Sequence, residues 1–271
     1  MTTDTPTIPT DLIPASSDTT GSNAAPVAPP IVLVEDVTMA FNIANERLNS
    51  LKEYVLKIVT RQLFYREFIA LDKVSLRVEK GDVYAIVGVN GSGKSTLLKI
   101  IAGVLEPTRG SVQINGRIAP LIELGAGFDF ELTARENIYL NGALLGYSRQ
   151  FIEENFEEIV RFAEMEEFLE LPLKNYSSGM VARIAFAVAT VMVPDLLIVD
   201  EALAVGDMFF QEKCLDRINT LIKEHNTTVL FVSHNISQVE GLCQKALWLD
   251  KGVARMDGSV AEVCQAYRNS Q

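Results

Sequence analysis

The chain has 271 residues, 48% of them hydrophobic, enough for one large domain or two small lobes around a sizeable core. Its net charge of −11 argues against a general nucleic-acid surface; no Lys or Arg precedes Arg47, so Asp4, Asp11, Asp18, Glu35, Asp36 and Glu46 give that stretch −6 and leave −5 on the rest. There is no basic start with an apolar block to suggest a secretory leader and no apolar run long enough to cross a bilayer, and Cys214, Cys243 and Cys264 lack metal spacing, which fits a reduced cytosolic compartment.

Residues 1–30 are rich in Thr, Pro, Ser, Ala and Asp, with almost no aromatics. Such a segment buries too little surface to fold, so a disordered tail is expected before a folded domain over 31–271. "IVLVEDVTMAF" opens that domain as a strand. "NERLNSLKEYVLKIVTRQLF" places Leu48, Leu51, Val55, Ile58, Val59 and Leu63 at helical spacing and predicts a helical insert over about 45–66. Two readings of its apolar stripe stay open. It packs on the domain's own β-lobe, or it also meets a membrane partner or lipid headgroups, for which Lys52, Lys57 and Arg61 suit an anionic surface. "ALDKVSLRVEKGD" alternates like a strand and ends in a turn.

"DVYAIVG" is an apolar, β-branched run and predicts a buried strand. It leads into "VGVNGSGKSTLL", which fits the phosphate-loop spacing G-x-x-x-x-G-K-[ST]. The loop holds Gly88, Asn90, Gly91, Ser92, Gly93, Lys94, Ser95 and Thr96, and "STLLKIIAGVL" continues at helical spacing. A strand, a glycine-rich turn and a helix N-terminus together attract phosphate through free N–H groups and a partial positive charge. Lys94 is placed to reach the β- and γ-phosphates of a nucleotide, and the Ser95 hydroxyl to ligate Mg²⁺.

"GSVQINGRIAPLIELG" reads as a further strand region, and a helical, acidic pattern over about 129–173 predicts a helical subdomain of about 129–182. "NYSSGMVARIAFAVATVMV" reads as a cap and a buried helix. "PDLLIVDEAL" is a buried strand that ends on Asp200 and Glu201. At the carboxyl end of a parallel strand, Asp200 is expected beside the phosphate loop in the Mg²⁺ shell, and Glu201 is placed to polarise a water. "TTVLFVSHN" and "KALWLDKG" are two more strands, followed by a short "AEVCQAY" helix. His234 follows the apolar "VLFV" run, whereas His225, in "KEHN", reads as an exposed loop residue. Strands alternating with helices predict an α/β fold with a largely parallel sheet.

With these motifs in this order, the chain resembles the ATP-binding cassette (ABC) ATPases over roughly 31–267. "YSSGM" at 176–180 resembles that family's signature, with Ser178 and Met180 in place of its usual Gly and Gln. "ALAVGD" resembles its D-loop and "VSHN" its switch histidine. The resemblance implies a P-loop core with a mostly parallel sheet, an antiparallel β-lobe and a helical subdomain. It implies ATP and Mg²⁺ as cofactors and a homodimer of cassettes. In such a dimer Ser177 and Gly179 of one copy cap the γ-phosphate held by the other, Asp207 crosses the interface, and Glu201 and His234 are catalytic. Glu123 stands near the family's usual Gln as a metal-side residue. An aromatic stacks on adenine in this family; Tyr65 is the first choice here, with Phe68 and Phe41 competing.

The stretches "LIELGAGFDFELTARENIYLNGALLG", "YSSGMVARIAFAVA" and "DEALAVGD" look like the ATPase subunits of polysaccharide, O-antigen and teichoic acid exporters. That resemblance implies export of a lipid-linked glycan, with a separate transmembrane permease as partner, at the cytoplasmic face of the cell membrane and without nucleic acid. The C-terminal carbohydrate-binding domain of some members is not expected here. Two other readings are a soluble ABC protein of translation or DNA maintenance, against which the single phosphate loop and the lack of heptads speak, and a catalytically weak ABC scaffold that signals at a membrane.

Overall fold

The structure is a computed structural model, and it describes residues 29–44, 65–122, 124–200, 207–232 and 236–270. Residues 1–28 of the expected 1–30 tail, most of the insert (45–64), Glu123, Glu201 and His234 lie outside the described residues. Pro30, which composition assigns to the tail, is buried, and its carbonyl accepts from Asn115 Nδ2 at 2.7 Å.

Among the described residues the strands form two sheets. The smaller is antiparallel, in the order β2 (Tyr65–Val78), β1 (Val32–Ala44), β4 (Arg109–Ile114). In β1 the buried apolar residues are Val32, Val34, Val37 and Met39, so the period of two slips between Val34 and Val37. Asp36 absorbs the extra residue in a left-handed conformation (φ 47°), with its N–H donating to Ser75 Oγ at 3.0 Å. This bulge keeps the following side chains on the core face.

The larger sheet has the order β5 (Ile118–Leu121), β6 (Leu196–Val199), β7 (Thr228–Val232), β3 (Val83–Val87), β8 (Lys245–Asp250), β9 (Val253–Ser259). All neighbours are parallel except β8 with β9. The "GSVQINGRIAPLIELG" region is thus two strands in different sheets, parted at Asn115–Gly116. β9 escapes sequence reading because "VARMDGS" is neither apolar nor cleanly alternating.

Every residue of β3, β6 and β7 is buried, as strands covered on both faces require. Their alternate residues split between two cores. Tyr84, Ile86, Leu196, Ile198, Leu230 and Val232 face the antiparallel sheet and α1 (Lys94–Ile101). Val83, Ala85, Leu197, Val199, Val229 and Phe231 face α4 (Ser178–Thr190), α5 (Met208–His225), α6 (Ile236–Leu242) and α7 (Val260–Asn269). The three cysteines are buried in this second core, and burial pushes the Cys214 and Cys243 thiols up to about 12. His225 closes α5 as an exposed residue of its last turn, not of a loop.

A third core joins α2 (Ala134–Leu144), α3 (Arg149–Ala163) and α4 into a helical lobe. α4 contributes Phe186 and Ala189 to the sheet core and Val181, Ile184 and Val188 to the lobe, which is why it is apolar nearly all round. No described helix is long and apolar enough to cross a membrane. The lobe's first turn hangs on Asn137, which is fully buried. Its Oδ1 accepts from Asp129 N–H at 2.8 Å, and its Nδ2 donates to the carbonyls of Asp129, Leu132 and Thr133. Asn137→Ala leaves these buried groups unpaired and lowers stability by about 2–3 kcal/mol, read as a lower urea midpoint.

Candidate nucleotide-binding site

The site begins where β3 ends. β3 lies between β7 and β8, with β6 beyond β7, so the carboxyl ends of β6, β7 and β3 open on one side. That is where ligands bind in open parallel sheets. The chain turns from β3 into α1 through the glycine-rich loop. A Cβ on Gly88 would lie 2.2 Å from the Leu249 carbonyl oxygen and 2.6 Å from Ser92 Oγ. Gly93 caps α1 at φ 106°, and a Cβ there would lie 2.7 Å from the Ala70 carbonyl oxygen. Both glycines are therefore required by close backbone approach as well as by the turn.

Lys94 opens α1 with only 6% of its surface exposed. Its ammonium donates to the carbonyls of Gly88 at 2.8 Å and Val89 at 3.0 Å, so the charge is folded back over the loop that precedes it. The first N–H groups of α1 have no partner within the helix and face the same side.

The cleft over the loop has a volume of about 320 Å³. Asn90, Gly91, Gly93, Lys94, Ser95 and Thr96 line it, with Asp200 from the end of β6, Val232 from the end of β7, and Phe68 and Ala70 from the antiparallel sheet. It is a polar floor with an apolar wall. The donor set fits a nucleotide phosphate and its Mg²⁺. Lys94 and the helix N-terminus suit the phosphates, and the Ser95 hydroxyl and the Asp200 carboxylate are hard oxygen donors that line the same cleft. Among the described residues no cluster of three His, Cys, Asp or Glu side chains could hold a metal. Magnesium bound largely through phosphates and waters needs none.

Of the three competing aromatics, Phe68 lines the cleft with half its surface exposed. Phe41 stands opposite it on β1 and packs against the core. The Tyr65 side chain lies outside the described residues. Phe68 and Ala70 were ranked low or missed from sequence because β2 reaches the cleft only through the packing of one sheet on the other, and Val232 was missed because it reads as one more buried residue of an apolar strand.

Ser177 is the N-cap of α4, with its Oγ accepting from Met180 N–H at 3.2 Å, and Gly179 lies in that helix's first turn. Neither lines the cleft of the same chain. Asp207 is the N-cap of α5, with Oδ1 accepting from Phe210 N–H at 3.0 Å and Oδ2 paired with Arg183. The Phe210 N–H first, and the Arg183 charge after it, hold the Asp207 carboxyl below the usual carboxylate range. Gly93→Ala is expected to disrupt the loop and abolish nucleotide binding. Lys94→Ala is expected to weaken ATP binding at least about tenfold with the fold intact, because one charge-assisted contact contributes about 1.5–3 kcal/mol. Titration with a fluorescent ATP analogue, with circular dichroism alongside, reads both.

Comparison with known proteins agrees with this geometry. Residues 71–204 match the family described as ABC transporter. The chain is 41% identical over 243 residues to the O-antigen export system ATP-binding protein RfbB of Klebsiella pneumoniae, covering 89% of this chain and 98% of that protein. It is also 41% identical over 236 residues to the teichoic acids export ATP-binding protein TagH of Bacillus anthracis, covering 87% of this chain but 42% of that longer protein. In fold it is similar to an ATP-binding subunit of an ABC transporter, with a TM-score of 0.68 at 23% identity over 88% of this chain and 93% of that one. It is likewise similar to the ATP-binding cassette MJ0796, solved as a dimer with ADP and Pi, with a TM-score of 0.66 at 24% identity over 84% of this chain and 98% of that one. A glycine-rich loop, a buried lysine and an acidic strand end around one cleft, with one relative matched at 41% identity over 98% of its length, place the chain: it belongs to the ABC transporter family, among its ATP-binding subunits.

Proposed function

We propose that this chain is the ATP-binding and hydrolysing subunit of an exporter that moves a lipid-linked polysaccharide or wall polymer, O-antigen-like or teichoic acid-like, across the bacterial cytoplasmic membrane. The observation that carries this reading is the 41% identity to an O-antigen export ATP-binding protein over 98% of its length. In this reading the chain works at the cytoplasmic face as a homodimer of cassettes with a separate transmembrane subunit.

The mechanism follows from the site. The loop N–H groups and Lys94 bind the β- and γ-phosphates, and the ammonium exchanges carbonyl partners for phosphate oxygens without leaving its buried position. Ser95 and Asp200 would hold Mg²⁺, which would supply neutralisation of the phosphate charge. Phe68 presents its exposed ring to the base. Glu201 orients the attacking water and His234 contacts the γ-phosphate, roles that rest on the family resemblance of "VDE" and "VSHN". Ser177 and Gly179 serve the second copy's nucleotide. The Ser177 oxygen accepts the cap bond, and its O–H remains able to donate to a phosphate. Each site is thus composite, and ATP binding closes the pair.

Glu201→Gln separates this reading from that of a scaffold that binds ATP without turning it over. The wild-type chain hydrolyses ATP; the variant keeps ATP affinity, loses turnover by about 100-fold or more, and accumulates as an ATP-bound dimer in size-exclusion chromatography. Turnover at the wild-type rate in the variant removes Glu201 from the chemistry. In cells that depend on the chain for export, the same variant leaves polymer on the inner side of the membrane; normal surface polymer sinks the cargo assignment.

A further inference from the structure

Strand β2 serves two cavities. Phe68 and Ala70 line the nucleotide cleft, whereas Glu67 and Ile69 line a second cavity. Successive side chains of a strand point to opposite faces, so one strand walls both. The second cavity is a groove of about 700 Å³ on the outer face of the antiparallel sheet.

The groove exists because the sheet is irregular there. The β1–β2 register shifts between Val37 and Met39 and again before Ala40, and the β1–β4 register shifts between Glu35 and Thr38. Asp36, Lys73 and Gly110 border the groove, all three in left-handed conformations (φ 47°, 51° and 85°). A Cβ on Gly110 would lie 2.4 Å from the Glu35 carbonyl oxygen, so β4 starts hard against the bulge in β1. Bulges of this kind re-aim side chains.

What they aim here is charge of both signs. Thr38 lies between two bases: the Lys73 N–H donates to its Oγ1 at 3.2 Å from β2, and Arg109 is its strand partner on β4. The Thr38 hydroxyl keeps its own proton to donate, so an ammonium, a guanidinium and a hydroxyl from three strands line one groove, a donor set suited to phosphate. The carboxylates of Asp36 and Asp72 line it too. Among the described residues, Asp72, Lys73 and Arg109 form no ion pair, so their charges are open to a ligand. A neutral ligand leaves them unanswered, a bare anion meets Asp36 and Asp72, and a bare cation meets Lys73 and Arg109. A phosphate beside an amine answers both sets. Ala40 and the half-exposed Ile69 offer an apolar floor to the rest of such a molecule.

β2 also reaches the phosphate loop. The Ala70 carbonyl oxygen packs so close to Gly93 that a Cβ there would lie 2.7 Å from it. A ligand that ties β2 to β1 and β4 therefore steadies Phe68 and braces the loop through contiguous packing.

We propose that this groove is a second ligand site, which takes a small zwitterion with a phosphate beside an amine, and that its occupant raises the affinity of the nucleotide cleft through β2. The coupling rests on the nucleotide reading of that cleft and is independent of the exported cargo.

The probe is O-phosphoethanolamine, titrated into the full chain by calorimetry and then added to a titration with a fluorescent ATP analogue. It tightens the analogue about fivefold or more, and by linkage the analogue tightens the probe by the same factor. Inorganic phosphate alone and ethanolamine alone each bind at least about tenfold more weakly, since each leaves one set of charges unanswered. Lys73→Asn, which suits the left-handed backbone, and Arg109→Gln each weaken the probe about tenfold or more through the loss of a charge-assisted contact. Arg77→Gln removes a base of the same strand that already pairs with Glu79 at 2.6 Å, and leaves probe affinity unchanged. Co-sedimentation with vesicles containing phosphatidylethanolamine, displaced by the soluble probe, marks a lipid headgroup as the source; binding of the soluble probe without vesicle association marks a free compound. No probe binding, equal binding in Lys73→Asn and Arg109→Gln, or binding with no shift in nucleotide affinity overturns the proposal. Competition between probe and ATP analogue places the probe on the phosphate loop and overturns it as well. A chain that binds no ATP analogue overturns the nucleotide reading and the coupling together; normal analogue binding with no response to the probe overturns this inference alone.

Discussion

A lysine ammonium with 6% of its surface exposed is the constraint on which the site depends. A buried cation must be paired or hydrogen-bonded, and here the carbonyls of Gly88 and Val89 take it. Turning those carbonyls toward Lys94 bends the chain between β3 and α1. Gly88 passes too close to Leu249, and Gly93 too close to Ala70, for either to carry a side chain. The contacts at Leu249 and Ala70 bring β8 and β2 to the loop, so its shape is tied to both sheets. The close backbone approaches and the buried ammonium thereby fix the shape of the loop that floors the cleft.

The parallel sheet supplies the second half of the arrangement. Because β6, β7 and β3 are neighbours running the same way, Asp200, Val232 and the loop reach one edge together. Alternation along these strands sends one set of side chains toward α1 and the antiparallel sheet and the other toward α4, α5, α6 and α7. The antiparallel sheet then closes the cleft from the side and contributes Phe68, an aromatic ring that the fold leaves half exposed.

α4 connects this core to the helical lobe. It is apolar on nearly all faces because two cores claim it, and its few polar groups are concentrated toward its start. Ser177 satisfies an end N–H there, and Arg183 ties the helix to Glu164 and Asp207. The helix capped by Ser177 is therefore fixed in direction by packing along its length and by charge near its start.

How much of this was legible in the sequence differs by residue. The phosphate loop, Ser95, Asp200 and the buried strands β3, β6 and β7 were readable because local chemistry alone accounts for them: glycine spacing, continuous apolar runs and a strand end. The division of "GSVQINGRIAPLIELG" between two sheets, the strand β9 and the helical setting of His225 were not. Strand pairing is a long-range choice, and a helix's last turn resembles a loop in composition. The roles of Ser177 and Asp207 as caps were local and readable in principle, but their union through Arg183 and Glu164 was not, because it joins residues of three elements. The sequence by itself determined a glycine-rich loop between a buried strand and a helix, carrying the lysine and serine that suit a phosphate, because that chemistry is written in a short run of contiguous residues. Only the tertiary structure decided which aromatic ring lines the cleft over that loop and which charges tie α4 to its neighbours, because those contacts arise from the packing of one sheet on another and of α4 against α3 and α5.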